Sequence, residues 1–146
     1  MNTDFKFSSL IGNCFIYCDK NHLYINQKHI YLEWDITEIA VSQDKIFVLY
    51  APIDGCSFDD LPRSNIVAFD FSANFLFDIG KLIKENCSFS KIDICNESIV
   101  KSEPLTESLQ TEPNHEYLVC YTYGDLRFIL DVTDEKLVQR VSGRFG

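Results

Sequence analysis

The sequence predicts an all-β protein built from antiparallel, blade-like sheets. Three observations predict it. First, residues 66–79 and 127–141 share one pattern: an apolar run, an Asp, an apolar residue, a Ser or Thr, a polar pair, then a second apolar run. They align on Asp70 and Asp131, and a shorter version surrounds Asp19 between Phe15 and Ile25. Second, short apolar runs follow one another with turn residues between them, which is the mark of strands rather than helices. Third, the chain is rich in strand formers, with 12 Phe and 7 Tyr among its 146 residues.

Eleven strands are expected in order: Asn13–Asp19, His22–Asn26, His29–Trp34, Ile36–Ser42, Lys45–Ala51, Asn65–Phe71, Phe75–Ile79, Lys91–Asn96, Glu116–Tyr123, Leu126–Val132 and Lys136–Val141. The first pair turns at Asp19-Lys20-Asn21 and the pair after Asn65 turns at Ser72-Ala73-Asn74, each with an Asn able to take the left-handed conformation. Gln43-Asp44 is a tight turn, and Gly124-Asp125 separates Tyr123 from Leu126, with Gly able to supply a positive φ. Asp19, Asp70 and Asp131 close apolar runs before turns, where Asp bonds nearby backbone amides, so their reading is structural. Ile46-Phe47-Val48-Leu49-Tyr50 and Phe128-Ile129-Leu130 are apolar on both faces, so those strands must be covered on both sides. One short helix is expected near 80–86, with Asn86 closing it; two turns are marginal without packing. Two acid-bearing loops remain, at 52–63 and 101–115, and loops that long are often functional.

The repeated hairpins resemble the blades of a β-propeller. The chain is too short for a full ring of four-stranded blades, so two or three blade-like sheets in an open half-propeller are expected, with a two-sheet β-sandwich as the alternative. The length suits one domain over 1–146, large enough to bury its core without a metal or disulfide staple.

Charge excludes more than it selects. With 22 acidic and 13 basic residues the net charge is −9. That disfavours nucleic acid and anionic membrane surfaces, and suits a basic partner. The chain start lacks a basic region followed by an apolar core, and no apolar run approaches a membrane span, so a cytoplasmic protein is expected. Its six cysteines, Cys14, Cys18, Cys56, Cys87, Cys95 and Cys120, are then expected as free thiols, mostly inside apolar runs.

No motif calls for catalysis. His22, His29 and His115 show no metal-ligand spacing with cysteines, no nucleophile elbow or phosphate loop is present, and no cofactor is expected. Asp59 and Asp60 are adjacent, so on an extended chain they point in opposite directions and make a poor acid–base pair. The expected partner-binding residues are the loop acids Asp54, Asp59, Asp60, Glu103, Glu107 and Glu112 with the aromatics Phe58, Tyr121 and Tyr123. Aromatics with acids at their margin are typical of interface centres.

The chain's size, its charge of −9 and its acid-bearing loops 54–60 and 103–116 resemble the immunity proteins of bacterial polymorphic-toxin and contact-dependent growth inhibition systems. The resemblance implies a non-catalytic inhibitor that binds a cognate basic toxin, often a nuclease, by covering its active site with carboxylates. A small-ligand or carbohydrate-binding β module, whose sign would be a concave patch of Trp and Tyr, and a structural subunit of a larger assembly are the other classes considered; the single Trp, Trp34, speaks against the carbohydrate module.

Overall fold

A computed structural model describes residues 5–51, 62–96 and 111–142 of the chain. Twelve strands occur among these residues, with one helical turn. They form three antiparallel four-stranded sheets, none closed into a barrel. The first holds β1 (Lys6–Ile11), β2 (Cys14–Asp19), β3 (His22–Ile25) and β4 (Lys28–Tyr31). The middle sheet holds β5 (Ile36–Val41), β6 (Ile46–Tyr50), β7 (Ile66–Phe69) and β8 (Phe75–Asp78). After α1 (Gly80–Ile83) the third holds β9 (Phe89–Asn96), β10 (Glu116–Thr122), β11 (Leu126–Asp131) and β12 (Lys136–Ser142). Within each sheet, strands adjacent in sequence are adjacent in space.

The doubly apolar strands explain the stacking. Side chains alternate across a strand, and in β6 and β7 both faces are buried. Ile46, Val48, Val67 and Phe69 pack with Cys14, Ile16, Cys18, Leu23 and Ile25 of the first sheet. Phe47, Leu49, Ile66 and Ala68 pack with Phe89, Leu118, Cys120, Phe128 and Leu130 of the third. The middle sheet is therefore the filling between two cores. Each fully buried large apolar side chain contributes about 1.5–3 kcal/mol. The result is an open row of three blades rather than a two-sheet sandwich.

Asn65 joins middle and third sheets. It is buried, donates from Nδ2 to the Tyr50 carbonyl at 2.8 Å and the Phe89 carbonyl at 3.0 Å, and accepts from the Phe89 amide at 2.8 Å. This anchoring lets β9 begin at Phe89, two residues before the expected Lys91.

The hairpins around Asp70 and Asp131 join the third and fourth strands of their sheets, so the sequence repeat is a repeat of position within a blade. Asp70 accepts the amides of Ser72 and Asn74, each at 2.9 Å, and Asn74 Nδ2 at 3.0 Å. Those bonds hold its carboxyl below the usual range, the Asn74 amide contributing most. Asp131 accepts the Asp134 amide at 2.9 Å. The Asp19 hairpin differs, because it joins the second and third strands of its sheet.

Several local expectations are corrected. The left-handed residues of the tips are Lys20 (φ 56°) and Ala73 (φ 69°), not Asn21 or Asn74. The asparagines serve as side-chain bonders instead: Asn21 Nδ2 donates to the Leu32 carbonyl at 2.9 Å, and Asn74 binds Asp70 as above. Gly124 keeps a negative or extended φ; its turn is held by Thr122 Oγ1, which accepts the amides of Gly124 and Leu126 at 3.2 and 3.3 Å. The helix spans four residues and is closed by left-handed Lys84, whose amide reaches the Gly80 carbonyl at 3.0 Å, not by Asn86. β1 was not expected. Its Lys-Phe-Ser-Ser-Leu-Ile alternates, and the two serines mask the apolar rhythm of Phe7 and Ile11.

Candidate functional site

Three turns meet at one edge of the molecule where the middle and third sheets adjoin. They are residues 42–45, the approach to β10 at 112–116, and the β11–β12 turn at 131–136. Gln43 donates its amide to Glu116 Oε1 at 2.8 Å, tying the first turn to the second. Glu116 donates its own amide to Thr133 Oγ1 at 3.0 Å, tying the second to the third. Six carboxylates gather here, from Asp44, Glu112, Glu116, Asp131, Asp134 and Glu135. Lys45 and Lys136 are the lysines that pair with them.

The edge has a layered electrostatic build. Lys45 is buried, and its ammonium reaches Asp44 Oδ1 at 3.2 Å and Glu135 Oε2 at 3.6 Å. Asp131 is only 1% exposed. Its Oδ2 lies 2.7 Å from His115 Nδ1, and Asp134 Oδ2 lies 3.9 Å from the same nitrogen. The bond to Asp131 lifts the His115 imidazole above its ordinary value near 6.5. Buried charges are thus matched internally. Glu112 and Asp134 stay at the surface, Asp134 with Lys136 Nζ 3.9 Å from its Oδ2, and both carboxylates face an incoming cation from there. Ligand atoms of Glu112, His115 and Asp134 lie within 4.8 Å of one another. Chain spacing could not reveal this grouping, because residues 112 and 134 are brought together only by the pairing of β10 with β11.

The expected binding residues fall into separate places. Asp54, Phe58, Asp59, Asp60, Glu103 and Glu107 lie outside the described residues. Glu112 lies on the acidic edge, with its amide donated to the Tyr117 hydroxyl at 2.8 Å. Tyr121 is half-buried on the outer face of the third sheet, with Lys91 Nζ 5.4 Å and the Arg127 guanidinium 6.0 Å from its ring. Tyr123 is 46% exposed and lies just beyond the end of β10. Tyr123 lines a cleft of about 210 Å³ with Arg63, Cys87, Ser88 and Asp125. β10 runs from beside the acidic edge to these tyrosines. From Glu116 to Tyr121 the strand advances five residues, about 17 Å at roughly 3.3 Å per residue, so the tyrosines lie toward its other end.

A second surface escaped the sequence reading. The outer face of the first sheet carries Leu10 from β1, Phe15 and Tyr17 from β2, His22 and Tyr24 from β3, and His29 and Tyr31 from β4. Register puts them on one side: Leu10 opposes Phe15, Tyr24 opposes His29, and His22 opposes Tyr31. Tyr24 and His29 rings lie nearly parallel with centroids 4.2 Å apart. His22 Nδ1 and His29 Nε2 are 2.9 Å apart, a hydrogen bond that needs one neutral ring. Leu10, Phe15 and Tyr31 are 69%, 43% and 65% exposed. The signal was the alternation of aromatics and histidines at 15, 17, 22, 24, 29 and 31.

The described cysteines, Cys14, Cys18, Cys87, Cys95 and Cys120, are not in disulfides; Cys56 lies outside the described residues. Burial pushes the Cys18 thiol up to about 11 and that of Cys120 further still, which makes both poor thiolates. No helix among the described residues is long and apolar enough to cross a membrane. No protein-family model matches the chain, and no curated protein matches it in sequence.

Proposed function

We propose that the chain is a non-catalytic, cytoplasmic binding protein of the immunity type, which neutralises a basic toxin domain by laying carboxylates over its cationic surface. The observation that carries the reading is the acidic edge, where exposed Glu112 and Asp134 stand over a layer whose buried charges are already paired. An edge so built can offer surface carboxylates without leaving a buried ion unmatched. Such complementary charge raises association rates and rejects wrong partners. The loop acids Asp54, Asp59, Asp60, Glu103 and Glu107 extend the same negative character in sequence.

The test uses two charge-reversed chains beside the wild type. One carries Glu112→Lys and Asp134→Lys, which spare the pairs of Lys45. The other carries Asp59→Lys, Asp60→Lys and Glu107→Lys. Each is tagged and used to capture proteins from the cells that make it. The expected result is one basic protein held by wild type and lost by the edge variant. Equal retention by wild type and both variants would contradict the reading.

A further inference from the structure

The three sheets stack face against face, and this packing is repeated at two junctions in the molecule. The middle sheet is covered on both sides. The outer face of the third sheet is closed over as well, with Tyr117, Val119 and Ile129 buried. The first sheet is the exception: its inner face is buried and its outer face is open. Three of the large hydrophobic side chains most exposed among the described residues, Leu10, Phe15 and Tyr31, are on that one face.

Two kinds of occupant can be set aside on chemistry. A sugar stacks on the flat face of an aromatic ring, but here Tyr24 and His29 lie against each other, and Tyr31 leans on both histidines. The rings of His22, Tyr24, His29 and Tyr31 turn faces toward one another, which leaves less flat surface for a sugar to cover. A cationic partner finds no charge to meet: the face carries one lysine, Lys6, and one aspartate, Asp19, which pair at 4.0 Å. This neutrality is notable in a chain of net charge −9. Like-charge repulsion between two copies is smallest where they meet through an uncharged surface.

We infer that this face is the contact between two copies of the chain, packed back to back about a twofold axis through their first sheets. A twofold contact asks only that one patch complement itself. Tyr, Phe and His edges interleaved with a leucine can do so, because aromatic pairs favour edge-to-face geometry. The area sets the strength. Two strands of six residues and two of four, about 4.8 Å apart, make a face near 19 by 17 Å, or about 300 Å² per copy in plan. Both copies together reach roughly 600 Å² before side-chain relief is counted, short of the roughly 1,000 Å² of a stable interface. The dimer is therefore weak, forming at micromolar to submillimolar chain concentration. It leaves the acidic edge free, so it is independent of the toxin-binding reading.

Sedimentation equilibrium of the full chain from about 5 μM to 1 mM tests it, at low and high salt. The expected result is an average mass rising with concentration from 16.9 kDa toward twice that value. Added salt should leave the dimer unchanged or tighten it, because screening removes the repulsion of two −9 chains. Leu10→Glu and Tyr31→Glu should each weaken dimerisation at least tenfold. Both residues are exposed, so far-UV circular dichroism should stay that of wild type. A chain that remains monomeric to 1 mM overturns the inference. So does a dimer that both variants leave intact, or one that salt dissolves.

Discussion

Asp131 is the residue on which the acidic edge turns. It is buried, closes β11, accepts the Asp134 amide and holds His115. Removing the carboxyl strands both donors, and bonds of this charged kind are worth about 1.5–3 kcal/mol. Asp131→Ala should therefore lower stability by roughly 2–3 kcal/mol in urea unfolding, with Asp131→Asn falling between it and wild type. His115 supplies a pH signature. Its folded value is raised by the Asp131 bond, so the folded state holds the proton more tightly than the unfolded chain. The stability it contributes is full below about 6.5 and is lost as pH rises through the raised folded value. Histidine resonances followed by NMR should place the His115 midpoint above 6.5, and Asp131→Asn should bring it down. A midpoint unmoved by that change would mean that Asp131 does not hold the ring.

Glu38 makes a second residue-scale case. It accepts the Ile92 amide at 2.8 Å between β5 and β9, and burial pushes its carboxyl above the ordinary 4.5. The folded state thus favours the protonated form. Stability from this group is present below 4.5 and falls as pH rises through its raised value. Glutamine keeps the acceptor without the charge, so Glu38→Gln should leave the melting temperature at pH 7 unchanged or raise it by up to about 3 °C. A clear fall would show that the ionised form stabilises the junction.

At the scale of elements, Asn65 stitches two blades through three hydrogen bonds to β6 and β9. Asn65→Ala leaves buried backbone groups of Tyr50 and Phe89 without partners, at about 1–3 kcal/mol for each group orphaned. The variant should lose at least about 3 kcal/mol, and hydrogen exchange should quicken at Phe89 first. The strands show what the chain discloses about itself. β6 is legible because five successive apolar residues can only be a strand covered twice. β7–β8 and β11–β12 are legible because the same Asp-turn chemistry recurs at the same place in two blades. β1 is not, because Ser8 and Ser9 interrupt its rhythm and its inward side chains are only half-buried. Left-handed positions were misplaced by one residue at both tips. The asparagine side chain was more useful as a hydrogen-bonding group than its backbone was as a turn.

For the molecule as a whole, the legible and illegible parts of the site divide by sequence distance. The acidic character could be counted, and Glu112 could be named. The edge itself could not, since Asp44, Glu112 and Asp134 meet only through sheet pairing and through the bond from Gln43 to Glu116. Tyr121 and Tyr123 were grouped with the acids as aromatics with a charged margin, but β10 starts beside the acidic edge and carries them toward its other end. The stacked blades also predict the fate of the cysteines. Cys14, Cys18 and Cys120 sit inside the two cores, and neither Cys87 nor Cys95 is in a disulfide, so thiol titration after denaturation without reductant should recover at least four thiols.

The central claim is that carboxylates at the acidic edge guide a basic partner onto this chain. The association rate of the captured partner, measured from about 20 mM to 500 mM salt, tests it most directly. The account predicts a rate that falls at least tenfold across that range for wild type, and a slower, nearly flat profile for the chain carrying Glu112→Lys and Asp134→Lys. A wild-type rate that is flat with salt and matched by the variant would contradict it.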